Sequence, residues 1–283
     1  YRRAATPAEL AKLAQKVHRQ LTAGELPAAD LYAGLRAALN VAVAGRDPRL
    51  AAKLIDELDI RFILDRQELE ETMIEGFLGD GGSLRTELSK ATALLPVLED
   101  LIARDINNDD FRDAADKLRY GNALVRTVND VETQYRWKVL RERVTEGKQQ
   151  FPKIAAQIEQ LRSDPEDPRA NYVVGWYLCM IKNNWPQGLE LLAKTDDFQL
   201  RQLAQLEVQE NTNLIMHLRL ADAWWDYAQD HEDEELVFES CMQRARKWYQ
   251  SAAIGLPDGL DRIRANNRLD AIDRLIGKAP ESL

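Results

Sequence analysis

The chain has 283 residues, 45% apolar and 30% charged, enough to bury a core beneath a solvated surface and too apolar for a disordered segment. A formal net charge of −9 argues against a general DNA or RNA binder, which would present a basic stripe to phosphates, and against a surface that docks on anionic lipid. No apolar run approaches the roughly 20 residues that cross a bilayer, so no membrane insertion is expected.

Taken in chain order, nearly everything reads as helix. Thr6 and Glu9 form a capping-box pattern around Pro7, and Leu10, Leu13, Ala14, Val17 and Leu21 follow at spacings of three and four. Gly24 closes that helix. A second is expected over residues 27–44, with Leu31, Leu35, Ala38, Leu39 and Ala42 on one face. Gly45-Arg46-Asp47-Pro48 is a stop–start signal, with Gly after the last turn, Asp as the cap and Pro in first position. Leu50, Leu54, Ile55 and Leu58 belong to the third helix. Residues 27–58 thus form a helix–turn–helix unit of about the tetratricopeptide period, ~34 residues.

The middle is less regular. Residues 64–78 are expected to be helical, Gly79-Asp80-Gly81-Gly82 to break them, and Ser83 to cap a long segment with Leu88, Ala91, Leu95, Leu98 and Ile102 inward. Pro96 inside that pattern predicts a kink or break near Leu95. Residues 105–110 form a polar turn. Phe111, Ala114, Ala115, Leu118 and Leu124 outline the next helix, which is expected to lead into a longer one through Val139, Leu140 and Val144. Gly147 to Pro152 and Ser163 to Pro168 bracket a short helix over 154–161, and Ser163-Asp164-Pro165-Glu166-Asp167-Pro168 carries the clearest linker signal. No window alternates as a strand between turn signals.

Small residues and aromatics recur in the last third. Gly175-Trp176-Tyr177-Leu178 leads into Asn184-Trp185-Pro186-Gln187-Gly188-Leu189, and Leu220-Ala221-Asp222-Ala223-Trp224-Trp225 into Arg244-Ala245-Arg246-Lys247-Trp248-Tyr249. Each half reads as two helices meeting through a small residue on one and an aromatic on the other, the way stacked hairpins bury a face that a single hairpin cannot. These motifs, continued more weakly back to about Asp30, resemble the helical-repeat region of large, often exported proteins of planctomycete bacteria. Lys194-Thr195-Asp196-Asp197 departs from that pattern, where a Gly-Ser-Asp type turn would stand. The resemblance implies a tetratricopeptide-like or Sel1-like α-solenoid with no established chemistry, an exported or periplasmic-type compartment, and neighbouring modules that hold any activity. A start at Tyr1 reads as a fragment or processed chain, with a removed signal peptide left open.

Several local patterns invite functional readings that their details oppose. Asp105-Ile106-Asn107-Asn108-Asp109-Asp110 begins like a calcium loop, but Asp110 replaces the sixth-position glycine and Asp116 the terminal glutamate, which favours an Asx-rich turn. Gly79-Asp80-Gly81-Gly82-Ser83 lacks the strand and lysine of a phosphate-binding loop. His231-Glu232-Asp233-Glu234-Glu235 places consecutive charges that do not converge on one ion. His18 and His217 have no neighbouring ligands at zinc spacing, and Ser240-Cys241 lacks a glycine frame for a nucleophile. Cys179 and Cys241 read as reduced structural thiols, with a disulfide left open. No catalytic, cofactor or metal residue is assigned.

Trp224 and Trp225 are adjacent, about 100° apart around a helix, so they cannot share one narrow core stripe. One is expected in the core and the other on an interaction surface. The whole chain, 1–283, is read as a single all-α solenoid of stacked helical hairpins, with a sub-boundary near 147–168. Its expected function is a non-catalytic interaction or scaffold module for a protein or peptide. The alternatives are an accessory or carbohydrate- or peptide-binding domain of a larger exported enzyme and, with least support, a catalyst built from acidic side chains on facing helices.

Overall fold

The computed structural model describes residues 5–79, 84–209 and 213–276. Among them every regular element is helical: thirteen α-helices and one π-helical turn, with no strand. They are α1 Pro7–Thr22, α2 Ala28–Ala44, α3 Pro48–Arg61, α4 Arg66–Leu78, α5 Leu84–Asn107, α6 Phe111–Val125, α7 Val131–Ser163, α8 Pro168–Trp176, the π turn Tyr177–Ile181, α9 Trp185–Leu192, α10 Phe198–Val208, α11 Leu214–Asp230, α12 Glu235–Gly255 and α13 Leu260–Ile276.

The chain divides into two compact units. The first holds residues up to Ile102 together with Asp116–Asn129, and the second Ala103–Ala115 together with Asp130 onwards. In the first, α1 packs on α2, α2 on α3, α3 on α4 and α2 also on α4. The starts are capped as their sequences dictate. Thr6 and Glu9 complete the reciprocal capping box, and Asp47 accepts from the Leu50 N–H with Pro48 in first position. Leu35, Leu54, Ile55, Leu58, Met73 and Ile74 fill the core beneath.

Gly45 has a different reason from the expected one. Its φ of −77° is ordinary, and Arg46 takes the left-handed turn at φ 56°. A Cβ on Gly45 would strike the backbone of Ala11, so the glycine is there to let the α2 end approach α1. Glu70, 1% exposed, accepts from Arg66 and pairs with Lys117 at 2.9 Å. Arg66 also reaches Asp56 and Asp59. Desolvation pulls its guanidinium down, but these three carboxylates outweigh it and raise its pKa.

Neither expected interruption ends its helix. α5 runs through Pro96, with Leu94, Leu95, Val97 and Leu98 all buried around it, so packing offsets the hydrogen bond that proline cannot donate. α7 runs unbroken for 33 residues through Gly147 and Pro152, the first bracket of the expected short helix. Gly147 is buried and lies where a Cβ would occupy the Phe111 ring position. It is a seat for an aromatic, and the helix tolerates its weak propensity because that contact fills the gap. Residues 147–163 therefore lie inside α7, in the second unit. Ser83 and residues 80–82 lie outside the described residues.

In the second unit α7 packs on α8, α8 on α9, α9 on α10, α10 on α11, α11 on α12 and α12 on α13; α12 also touches α7 and the π turn. Asp130, Asp167, Asp197 and Asn213 cap α7, α8, α10 and α11. The small residues of the Trp-rich segment work as backbone contacts. A Cβ on Gly188 would lie 2.9 Å from the Gly175 carbonyl oxygen and overlap the Cys179 sulfur, and one on Gly175 would lie 3.0 Å from the Gly188 oxygen. Gly188→Val is expected to cost about 1–3 kcal/mol of unfolding free energy through overpacking, seen as a lower urea midpoint at unchanged slope. An unchanged midpoint would mean that α8 and α9 do not approach this closely.

Candidate functional site

The second unit concentrates its polar and aromatic chemistry around α12, and that follows from which residues each helix turns inward. The inward stripe of α10 is Leu200, Leu203, Ala204 and Glu207, so it delivers a carboxylate into the core with 3% of its side chain exposed. Trp224, fully buried on α11, donates its Nε1–H to Glu207 Oε2 at 2.6 Å. Arg244 of α12 pairs with Glu207 Oε1. Both oxygens of the buried carboxylate are thereby satisfied, as its desolvation requires.

Aromatic rings close around the pair. The Arg244 guanidinium carbon lies 4.8 Å from the Trp185 ring centre and 5.9 Å from that of Trp248. Trp185 meets Trp224 edge-on at 5.2 Å and donates its Nε1–H to Asn183 at 2.8 Å. Planar, weakly hydrated arginine suits such a stack better than lysine. Lys247, next to the cluster, has its pKa lowered by burial and by the charge of Arg244. Arg244 Nε and Trp248 Nε1 are buried without hydrogen-bond partners.

Both tryptophans offered as an interaction surface are buried. Trp224 is 0% and Trp225 8% exposed, and Arg268 lies 4.3 Å over the Trp225 ring. The 100° between them is accommodated because different helices cover each ring: α9 and α10 side chains reach Trp224, and an α13 side chain reaches Trp225. An interaction role for the pair is therefore not visible as an exposed face.

The polar turn after α5 is occupied by protein groups. Asp109, in left-handed conformation at φ 66°, pairs with Lys182 at 2.7 Å and accepts from the Tyr177 hydroxyl. Lys182 also donates to the Asn107 carbonyl at 3.0 Å. Burial first, then the Asp109 hydrogen bond and charge, raise the Tyr177 pKa. The π turn Tyr177–Ile181 replaces the α-helical run expected there and is capped by Lys182, with Asn183 after it left-handed at φ 54°. Such one-turn widenings re-aim side chains, here Tyr177 toward Asp109.

Cys179 and Cys241 are free buried thiols, and burial holds both well above the usual thiol range. That suppresses the reactive thiolate. His231 stacks on Tyr227 at 4.2 Å, and His217 contacts Ser251 at 3.0 Å. Among the described residues no three His, Cys, Asp or Glu side chains group as a metal site, and no helix is long and apolar enough to cross a membrane.

A surface groove of about 570 Å³ lies in the second unit between the start of α11 and the α12–α13 turn. Leu214, Ile215, Leu256, Pro257 and Leu260 line it together with Asp258 and Asp261. Leu260 is 86% exposed, and Ile263 projects from the next turn of the same helix at 55%. Nothing was singled out in the sequence at residues 256–261, so this groove was not foreseen. Exposed isoleucine and leucine three apart at the start of a helix were the available signal.

Compared with protein-family models, curated proteins and solved structures, the chain matches none.

Proposed function

We propose that the chain is a non-catalytic interaction or scaffold module, a tetratricopeptide-like stack of helical hairpins that holds a protein or peptide partner. The observation that carries this reading is the groove at the α11 start and α12–α13 turn. Contiguous exposed apolar side chains rimmed by polar ones mark interaction surfaces far more often than single exposed leucines do. The neighbour-on-neighbour packing of helices within each unit supports the repeat architecture. The buried carboxylates described above engage other groups of the chain, so no catalytic role is assigned to them.

The partner this groove fits is an extended or helical peptide that inserts one apolar anchor, the helix-in-groove mode. A library of random peptides selected on the protein tests it. Enriched sequences are expected to carry an apolar anchor and to lose about tenfold or more in affinity, roughly 1.4 kcal/mol, for an L260E/I263E variant. Because Leu260 and Ile263 are exposed, that variant is expected to keep its Tm. Enriched peptides that bind both proteins equally would overturn the assignment of the groove.

A further inference from the structure

The groove at the α11 start and α12–α13 turn has a charge as well as a shape. Its charged lining residues are Asp258 and Asp261, and among the described residues no lysine or arginine lines it. Its floor is packed. Leu256 is buried, and a Cβ on Gly255 would lie 2.7 Å from both methyl carbons of Leu214. The end of α12 thus rests directly on the start of α11, and a partner meets a surface that needs little ordering.

The two carboxylates differ in what already faces them. Asp258 pairs with Arg262 at 2.7 Å, one turn along the chain, and its side chain is 97% exposed. An ion pair so open to water is weak and exchanges readily for another cation. Asp261 lies in the first turn of α13, exposed, and no ion pair engages it among the described residues. The helix start beside it supplies about half a positive charge, less than the full charge of the carboxylate. The Ile215 N–H at the α11 start is already taken by the Asn213 side chain. Negative charge therefore remains on the groove, within a chain whose net charge is −9. Asp261 directly follows Leu260, so the charge stands beside the apolar seat.

We propose that the occupant of the groove is a basic peptide segment, with an apolar anchor seated on Leu260 and Ile263 and a lysine or arginine beside it that pairs with Asp261. This rests on the groove reading above and adds the partner's charge to it. Asp258 offers the second carboxylate by exchanging Arg262 for the partner's cation. An acidic segment carrying the same anchor meets carboxylate against carboxylate and is rejected, so the aspartates choose between partners that the apolar contact alone would not distinguish. Being exposed, they act chiefly on the rate of encounter, while the apolar contact holds the complex.

Peptides selected from a random library on the wild type are expected to carry Lys or Arg within about four positions of the apolar anchor, the reach of one helical turn. D258N/D261N removes the charge and little else. It is expected to keep the wild-type Tm and to bind those peptides about two- to fivefold more weakly, as an exposed pair allows, mainly through slower association. Selection on D258K/D261K is expected to enrich Asp or Glu at the same positions. With wild type alone, association is expected to slow severalfold between about 0.1 M and 1 M salt, as the screening length falls from about 10 Å to about 3 Å. L260S/I263S removes the apolar seat without altering charge and separates the two claims. Peptides that lose affinity for L260S/I263S, yet bind D258N/D261N as tightly as wild type and associate at a salt-independent rate, would overturn the charge assignment and leave the groove standing. Peptides that bind L260S/I263S as tightly as wild type would overturn the groove and this proposal with it.

Discussion

Arg244→Ala is expected to lower unfolding free energy by about 3–5 kcal/mol, because it leaves the Glu207 carboxylate buried without its counter-charge. Alanine also removes the planar group packed between Trp185 and Trp248. The loss belongs to the stranded charge more than to any intrinsic strength of the pair. A double variant, E207L with R244M, replaces both charges with apolar groups of similar size and is expected to recover most of the stability. Denaturant unfolding of wild type, R244A and the double variant checks this. If R244A cost less than about 1 kcal/mol, as exposed pairs do, Glu207 would be solvated and the cluster would not be a core.

Trp224→Ala is expected to cost a similar amount, about 3–5 kcal/mol, since it empties a fully buried ring site and removes the Nε1–H donor to Glu207. Trp224→Phe separates the two losses: the ring volume is largely kept, and the missing donor alone costs about 1–3 kcal/mol. Trp225→Ala is expected to destabilise as well, toward the low end of the range for buried tryptophans, because the ring is 8% exposed and covered by Arg268. Urea midpoints for the three variants decide the matter. A W225A protein with wild-type stability and impaired partner binding would restore a surface role to that residue.

The helical class and most helix starts were legible because they depend on local chemistry. Thr6 and Asp47 each accept from a backbone N–H of the first turn, as expected, and Asp167 and Asp197, read only as parts of a linker and a turn, do the same. The interruptions were misleading because Pro96, Gly147 and Pro152 lower helix propensity by amounts that tertiary packing exceeds. Gly147 faces the Phe111 ring, 36 positions away, and no local pattern could show that. Gly45 stands after the last turn of α2, as expected, and also allows close approach to Ala11, which no local pattern could show.

The buried charge cluster was partly legible. Glu70, Glu207 and Glu239 each fall on the apolar stripe of a helix, beside Met73 and Ile74, Leu203 and Ala204, and Leu236 and Val237 respectively. A carboxylate in such a stripe needs a buried partner. Which partner it finds depends on how distant helices pack: Lys117 for Glu70, Arg244 and Trp224 for Glu207, Tyr135 and Gln243 for Glu239. The small residues of the Trp-rich segment were expected to meet aromatics, whereas Gly175 and Gly188 meet each other's backbone. The covering of the aromatics by Arg244 and Arg268 is long-range and was not readable, and it is what removes Trp224 and Trp225 from the surface.

The groove at the α11 start and α12–α13 turn is the center of the proposed function, and methyl-resolved NMR of the protein with a selected peptide tests it most directly. Isoleucine and leucine methyl shifts are expected to change at Ile215, Leu256, Leu260 and Ile263, with Leu200, Leu203 and Leu218 in the buried cluster unmoved. Shifts confined to the buried cluster, or spread over the first unit with Ile215, Leu256, Leu260 and Ile263 silent, would contradict it.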